Sequence, residues 1–262
     1  MKKQLPDHRT HHYPTLIRRW RQGARQAGLK IIRYGEQDGF PLYALQSGRP
    51  PPDSPKIYLS AGIHGDEPAG PEGLLSWVLK HPETLKKADF LIFPCLNPWG
   101  LTWNIRTDAS GIDLNRQFHD LQRPALRALH QLIAGKHFDL ALALHEDYDG
   151  QGIYIYELNA GAEPWSPDLL EAAAAVLPHD PRRTIDGRRF TQPGYLHRDV
   201  KTRRFPDGPE TIFLAKGNAD ACFTIETPSE FSLDRRIRAH RIIIQAAIKR
   251  LLRVKADQLS FV

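Results

Sequence analysis

The chain has 262 residues, a net charge of +6 at pH 7 and a hydrophobic content of 41%. This length suits one large α/β domain, and the composition excludes a disordered or low-complexity protein. No apolar run approaches the ~20 residues that span a bilayer, and the polar N-terminal segment lacks a signal-like apolar stretch, so we predict a cytoplasmic protein that does not bind membranes.

Predicted strands and helices alternate along the chain. A flexible tail over residues 1–12 is predicted to precede an amphipathic helix over Tyr13–Ala27. Period-two or continuous apolar patterns predict strands at 29–34, 40–46, 57–61, 90–96, 139–144, 152–156 and 221–225. Helices are predicted at 68–80, at 121–134, from Ser166 onward, and at 232–253. This alternation predicts a single domain over residues 1–262, with a mostly parallel mixed sheet covered by helices on both faces.

The sequence His64-Gly65-Asp66-Glu67 stands where the strand over 57–61 gives way to a helix. A His and a Glu three residues apart at such a turn can both point at one cation. Their imidazole nitrogen and carboxylate oxygen are ligands that zinc accepts. An H-x-x-E pattern also arises by chance, so the interpretation depends on residues further along the chain.

Polar residues follow three more predicted strands, at Asn97, His145 and Glu226. In sheets of this kind, functional residues gather beyond the carboxyl ends of the strands. His145 would complete a two-His, one-Glu zinc site, although a core histidine bonded to backbone fits the same pattern. Glu226 ends an apolar strand, so we expect partial desolvation and a raised pKa suited to proton transfer; the alternative is a solvated acid. Glu146 and Asp147 could orient a ligand imidazole, but a solvated turn is the favoured interpretation.

A long irregular segment separates the strand over 90–96 from the next helix. It contains Arg106 and the sequence Gly111-Ile112-Asp113-Leu114-Asn115-Arg116. Guanidinium and amide groups bind carboxylates and stabilise an oxyanion, and long loops in compact domains are usually functional. The alternative is that Arg106 and Arg116 are surface residues.

In this order, the motifs resemble the zinc metallocarboxypeptidase family. That family's pattern is H-x-x-E, N-P-x-G, an Arg, G-[VI]-D-x-N-R, a later His and a Glu near F-T-x-E, and each part has a counterpart between residues 56 and 228. The small size and the acidic Asp66 make the chain look more like the bacterial cytoplasmic branch, which includes murein peptide amidases. The resemblance implies a zinc-dependent hydrolase that cleaves peptides, cell-wall peptides among them.

Carried over by position, the resemblance also implies a role for each motif residue. His64, Glu67 and His145 would bind one zinc ion. Arg106 would polarise the scissile carbonyl and hold the oxyanion. Asn115 and Arg116 would grip the terminal carboxylate of the substrate. Glu226 would activate the attacking water and then protonate the leaving amine. The family's substrate-closing tyrosine has no clear counterpart; Tyr195 is a candidate, although Arg204 lies nearer the expected place.

Two other functions remain open at this point. The related aspartoacylase and succinylglutamate desuccinylase group shares the H-x-x-E and D-x-N-R patterns and removes acyl groups from amino acids. A binding protein on a peptidase scaffold is the third alternative, with anionic ligands held by the basic segment between Arg182 and Arg204. That segment could instead steer acidic substrates or be a solvated loop. It has no recognised nucleic-acid module or interleaved aromatic residues, so nucleic-acid binding is not predicted.

Cys95 and Cys222 both lie in apolar strand-like runs. We predict that they are buried, reduced thiols, as expected in the cytoplasm. A disulfide between them is the alternative.

Overall fold

The computed structural model describes residues 10–159, 161, 163–198 and 208–260. The strands in that part of the chain are β1 (Leu29–Gln37), β2 (Phe40–Ser47), β3 (Lys56–Ala61), β4 (Asp89–Phe93), β5 (Phe138–Asp147), β6 (Tyr154–Asn159), β7 (Thr184–Ile185), β8 (Arg188–Arg189), β9 (Tyr195–His197) and β10 (Ala219–Pro228). The helices are α1 (Tyr13–Ala27), α2 (Ala69–Lys80), α3 (Pro82–Leu85), α4 (Pro98–Trp103), α5 (Pro124–Ile133), α6 (Ser166–Ala173), α7 (Glu210–Ala215) and α8 (Leu233–Ser260).

Eight strands form one mixed sheet in the order β1-β2-β4-β3-β5-β10-β6-β9. Its centre, from β4 through β3 and β5 to β10, is parallel, and β6 pairs with β9 in the same sense. The pairs β1–β2, β2–β4 and β10–β6 are antiparallel. The predicted fold class, a single α/β domain with a mostly parallel mixed sheet, is confirmed.

Helices cover both faces of this sheet, which explains why its central strands are apolar runs. Side chains alternate between the two faces of a strand, and in β3 Ile57 and Leu59 face one side while Tyr58 faces the other. The first core includes apolar residues of α1, α2, α6 and α8, and the second includes those of α5 and α7. A strand buried on both faces needs apolar residues at nearly every position.

The ends of α1 are closed by local contacts. The side chain of His12 accepts a hydrogen bond from the Thr15 backbone N–H at 3.1 Å, and Gly28 takes the left-handed conformation after the last turn, with φ of 69°. His11 Nδ1 lies 2.8 Å from the Leu101 carbonyl oxygen. The end of the predicted tail is therefore held in place, whereas residues 1–9 lie outside the described residues.

Several strands extend further than the apolar patterns predict, and β5 and β10 are the two that carry site residues. The parallel ladder between β10 and β5 continues through the pairs Glu226–His145, Thr227–Glu146 and Pro228–Asp147. His145 and Glu226 therefore lie inside these strands, two residues before the last residue of each, rather than beyond them. The ladder continues because the backbones of polar residues pair as those of apolar residues do.

The small elements were not predicted from the sequence. They are the hairpin β7–β8, strand β9 and helices α3, α4 and α7. Asp186 and Gly187 form the tight turn of the hairpin, with φ of 50° and 68°. Elements of two to six residues are too short to show a period of 2 or 3.6, so only the Asp-Gly turn signal was available.

The topology brings the predicted site residues to one edge of the sheet. β3, β5 and β10 are adjacent and parallel, so their carboxyl ends lie side by side. His64 follows β3, His145 lies near the end of β5 and Glu226 near the end of β10. Segments far apart in sequence thus meet at this edge.

Cys95 and Cys222 are both buried and unpaired, as predicted. Among the described helices, none has both the length and the apolar character needed to cross a membrane.

One buried histidine of α8 should affect how stability depends on pH. His240 is fully buried, with Nε2 3.1 Å from Thr227 Oγ1, and burial, reinforced by the charges of His145 and Arg236, lowers its pKa from 6.5 to about 3. The unfolded chain therefore binds one proton more than the folded chain between these values. The contribution of neutral His240 is complete above pH 6.5 and is lost as the pH falls towards 3.

We expect His240→Gln to reduce the slope of the free energy of unfolding against pH on the acid side. The reduction should be up to about 1.4 kcal/mol per pH unit, which corresponds to one proton. The measurement is urea unfolding between pH 4 and 8, with the exposed histidine His137→Gln as the matched control. Equal slopes in the wild type and the His240 variant would contradict a buried neutral imidazole.

Candidate metal centre and active site

Three buried side chains from two strand ends form a candidate metal centre. His64, Glu67 and His145 each direct one ligand atom into a cluster whose atoms all lie within 4.8 Å of one another. His64 Nδ1 is 2.6 Å from Glu67 Oε1, and His145 Nδ1 is 2.9 Å from Glu67 Oε2. Two imidazoles and one carboxylate are a donor set that suits zinc and leaves a coordination position open. The donor atoms of His64, Glu67 and His145 are therefore suited to bind a zinc ion.

The electrostatics of this cluster favour a cation. Burial alone would raise the pKa of Glu67, but the positive charges of His64 and His145 outweigh burial and hold that pKa far below its usual range. Burial opposes protonation of His64, yet the carboxylates of Glu67 and Asp113 raise its pKa to about 9. The buried carboxylate therefore requires positive charge beside it, which a divalent cation can supply.

The loop that carries His64 and Glu67 packs closely on the first turn of α4. A Cβ atom on Gly65 would lie 1.8 Å from the carbonyl carbon of Gly100, so the two backbones touch where only glycine fits. Asn97 caps α4 by accepting a hydrogen bond from Gly100 N–H at 2.9 Å, and its amide donates to the Thr107 carbonyl at 3.0 Å. Asn97 is therefore a structural residue that holds the segment leading to Arg106, not part of the cavity lining.

Asp113 connects the metal centre to the loop that carries Asn115 and Arg116, and no role was predicted for Asp113 from the sequence. Its Oδ1 lies 3.2 Å from His64 Nε2 and accepts the Asn115 backbone N–H at 2.9 Å. Its Oδ2 accepts two hydrogen bonds from Arg106, at 3.1 and 3.0 Å. An Nε2–H bond to Asp113 leaves the His64 Nδ1 lone pair directed at the cation site. The aspartate of the G-[VI]-D-x-N-R pattern is the feature of the sequence from which this role could have been predicted.

The guanidinium of Arg106 lies beside the metal centre. Its NH1 is 3.5 Å from Glu67 Oε1, and the Asp113 carboxylate fixes its orientation from the other side. Burial would lower the pKa of Arg106, but Asp113 and Glu67 raise it, so the group stays charged. A fixed cation here can stabilise negative charge that develops on a substrate oxygen.

Asn115 is buried and oriented by a contact across 95 residues of sequence. Its Oδ1 accepts the Glu210 backbone N–H at 2.9 Å, which leaves its amide NH₂ group to donate elsewhere. Glu210 is itself held by Tyr58, whose hydroxyl donates to it at 2.5 Å. Arg116 is exposed, and both Asn115 and Arg116 line the same cavity as the metal centre. These residues can supply donors for a substrate carboxylate.

Glu226 lies on β10 directly opposite His145 of β5. Burial raises the pKa of Glu226 to about 8; the charge of His145 opposes this shift, and those of Glu67 and Asp147 add to it. A carboxyl group that titrates near neutral pH can both accept and donate a proton in one cycle. The predicted desolvation is thus present.

Glu146 and Asp147 do not form a solvated turn, so that interpretation was wrong. Glu146 is 5% exposed, accepts the Ala69 backbone N–H at 2.6 Å and pairs with Arg236. Burial raises the pKa of Glu146 to about 7. Asp147 accepts hydrogen bonds from Tyr154 at 3.0 Å and from Arg182 at 2.7 Å. These acids stabilise the start of α2 and the end of β5.

One cavity of about 760 Å³ joins these groups. Its lining contains the metal-centre residues His64 and Glu67, the arginines 106 and 116, and Glu226. Exposed Tyr148 stands at its rim, whereas Tyr195 is 5% exposed in β9 and is absent from the lining. Tyr195 is therefore not placed to close over a substrate, and Arg204 lies outside the described residues.

The chain is similar to known proteins over the segment that carries the metal-centre residues. Residues 53–180 match the succinylglutamate desuccinylase/aspartoacylase catalytic domain. Carboxypeptidase 2 of Trichophyton rubrum is 28% identical over 141 residues, which are 46% of this chain and 26% of that protein. A provisionally named metallopeptidase of Shewanella denitrificans OS217 superposes with a TM-score of 0.81 and 25% identity, over 93% of this chain and 92% of that one. The chain is therefore similar to metallocarboxypeptidases and to the succinylglutamate desuccinylase/aspartoacylase catalytic domain.

A more distant structure shows the same fold. The metallo-carboxypeptidase of Burkholderia cenocepacia superposes with a TM-score of 0.68 at 17% identity, over 92% of this chain and 68% of that one. The predicted family resemblance is confirmed, although the match spans only about a quarter of the fungal carboxypeptidase. The fold is therefore shared over most of this chain.

Proposed function

We propose that this protein is a zinc-dependent hydrolase that cleaves an amide bond next to a free carboxylate. Within this class, we propose a metallocarboxypeptidase that acts on peptides, cell-wall peptides among them. The observation that supports it most is the single cavity shared by the metal centre, Glu226 and Arg116. A metal centre, a proton acceptor and a carboxylate anchor are what this reaction requires.

His64, Glu67 and His145 would hold one zinc ion per chain, with Asp113 orienting the imidazole of His64. When bound, zinc supplies Lewis-acid polarisation and brings the pKa of a water molecule to about 7. Glu226 would take a proton from the attacking water and pass it to the leaving amine. Arg106 would balance the charge that develops on the carbonyl oxygen.

Asn115 and Arg116 would bind the carboxylate next to the cleaved bond. Asn115 Oδ1 accepts a hydrogen bond from the Glu210 backbone N–H. The NH₂ group of Asn115 is then oriented to donate to the substrate carboxylate. Arg116 adds a guanidinium, which binds carboxylates with two parallel hydrogen bonds. Both residues lie in the turn after Asp113, and Asp113 Oδ1 accepts the backbone N–H of Asn115 at 2.9 Å and of Arg116 at 3.3 Å.

Removal of an acyl group from an N-acyl amino acid is the second candidate. It is favoured by the match of residues 53–180 to the succinylglutamate desuccinylase/aspartoacylase catalytic domain. The same carboxylate anchor serves both reactions, because both cleave an amide bond whose nitrogen belongs to an amino acid with a free carboxylate. Turnover of a panel of peptides and N-acyl amino acids separates the two. Tight zinc binding without turnover of either class would favour the binding-protein alternative.

The carboxylate anchor leads to a specific prediction. Amidation of the carboxyl end should lower kcat/KM about 10- to 100-fold, because a charge-assisted contact contributes roughly 1.5–3 kcal/mol. Arg116→Ala should lower kcat/KM for the free acid by a similar factor and reduce the difference between free and amidated substrates. Arg127→Ala, on the exposed face of α5, is the matched control. Equal cleavage of free and amidated substrates would refute anchoring by Arg116.

We also propose a cytoplasmic location, because the buried thiols of Cys95 and Cys222 are unpaired. Unpaired cysteines are typical of reducing compartments. Fractionation of the native host would test this.

A further inference from the structure

A second groove, the α2–α8 groove, lies between α2, α6 and α8 and away from the catalytic cavity. α2 begins beside the metal centre, where the Ala69 backbone N–H donates to Glu146, and it ends at Lys80. At about 1.5 Å per residue, the two ends of α2 are roughly 18 Å apart. The groove has a volume of about 590 Å³, which is within the usual size of small-molecule sites. Among the described residues, none lines both this groove and the catalytic cavity.

Basic side chains form the rim of the groove. Lys80 comes from the end of α2, and Arg241 and Lys249 come from α8, about two turns apart. No acidic residue is found among the described residues that line the groove, and these three cations form no ion pair within the described part of the chain. Glu83, the acid that follows Lys80 along the chain, already pairs with Lys86 at 2.8 Å. The positive charge of the rim is therefore not neutralised by the protein.

The charges at the rim also act on one another. Burial lowers the pKa of His81, which lines the groove, and the three cations of the rim lower it further. Burial also lowers the pKa of Arg241, and the charge of Arg238 adds to this shift. No described acidic group opposes either shift. An anion bound in the groove would relieve this repulsion.

One wall of the groove is fixed by hydrogen bonds. The Trp77 indole N–H donates to Gln245 Oε1 at 2.9 Å, and Gln245 Nε2 lies 3.2 Å from Thr84 Oγ1. Trp77 is fully buried, and its ring stacks on that of His81 with an interplanar angle of 29°. Gln245 and His81 are thus positioned by residues beneath them. A wall that is ordered before binding loses little entropy when a ligand enters.

The floor of the groove is apolar. Ile242 and Ala246, one turn apart on α8, and Ala172 of α6 line it. Ile242 and Ala246 are half-buried and pack against the first core. The short alanine side chains leave room between the longer basic side chains of the rim. A ligand that complements both parts carries negative charge at one end and an apolar body at the other.

We propose that the α2–α8 groove binds an organic phosphate, a phosphate monoester with an apolar or aromatic body. The phosphate oxygens would accept hydrogen bonds from Lys80, Arg241 and Lys249, and the body would lie on Ile242 and Ala246. A phosphate monoester carries about −1.5 to −2 charges at pH 7 and offers three acceptor oxygens, so it matches three cations better than a carboxylate does. This inference does not depend on the proposed function.

Calorimetric titration of the full chain with phenyl phosphate tests the proposal. We expect saturable binding of phenyl phosphate, weaker binding of inorganic phosphate, and much weaker binding of phenol. Arg241→Met should lower the affinity for phenyl phosphate about 10-fold or more, because it removes a charge-assisted contact while keeping a long side chain of high helix propensity. Adding Lys249→Met should lower the affinity further. Arg253→Met removes the same charge from an exposed position of α8 outside the groove, and it should bind as the wild type does.

Three comparisons decide between this site and other ways of binding the probe. Arg116→Ala should retain the binding; loss of binding in this variant, but not in Arg241→Met, would place the anion in the catalytic cavity and overturn the proposal. Equal losses in Arg241→Met and Arg253→Met would indicate general attraction to a basic surface and overturn it as well. Binding of hexaglutamate without binding of phenyl phosphate would assign the groove to an acidic protein segment instead. Circular dichroism checks that each variant is folded.

Discussion

Glu226→Gln is expected to retain the metal and lower turnover by about 10²–10⁴-fold, and further if one carboxyl group serves as both base and acid. The amide keeps the size of the carboxylate but cannot accept a proton from water. Burial raises the pKa of Glu226 to about 8, so its carboxyl group titrates near the pH at which the reaction would run. The measurement is kcat on the best substrate of the panel, with zinc content determined by elemental analysis.

Glu230→Gln is the matched control, because Glu230 is exposed in the turn after β10. It should behave as the wild type in both measurements. Near-normal turnover by Glu226→Gln would place the proton acceptor at another residue. Loss of zinc from Glu226→Gln would instead show that Glu226 belongs to the metal centre.

His145→Ala is expected to lose most of the bound zinc while keeping the fold. One of three protein ligands disappears, so the loss of affinity should exceed the ~10–100-fold that removal of an orienting partner costs. The sheet should persist because its two apolar cores do not include the His145 side chain. Zinc titration with a competing chelator measures the affinity, and circular dichroism checks the fold.

Two further variants test whether the loss of zinc is specific to the removal of a ligand. Asp113→Asn should weaken zinc binding by the smaller factor of about 10–100, because Asp113 orients the ligand His64 and is not itself a ligand. His137→Ala, at an exposed position just before β5, should bind zinc as the wild type does. Undiminished zinc content in His145→Ala would remove this residue from the metal centre.

The positions of the central elements follow from the sequence because their signals are local. Strands buried on both faces require continuous apolar runs, and the run before His145 in β5 is of this kind. The Asp38-Gly39 turn between β1 and β2 takes positive φ values of 51° and 81°, as its dipeptide predicts. Parallel order then places polar residues that follow such runs at one sheet edge.

The sequence was less informative where short elements meet distant ones. It did not predict the β7–β8 hairpin that carries Asp186, nor β9, which ends just before Arg198. It also favoured a solvated turn at Glu146, which instead lies buried against Arg236 of α8. A single acidic residue after a strand does not show whether a helix 90 residues later will cover it.

The sequence by itself determined the fold class and the candidate set His64, Glu67, His145 and Glu226, because apolar patterning and short spacings encode which residues follow which strand. Only the tertiary structure decided how these residues are oriented. Asp113 directs His64 and Arg106, and the Glu210 backbone directs Asn115. These contacts depend on the paths of irregular loops, which are set by packing between segments distant in sequence and have no periodic signature.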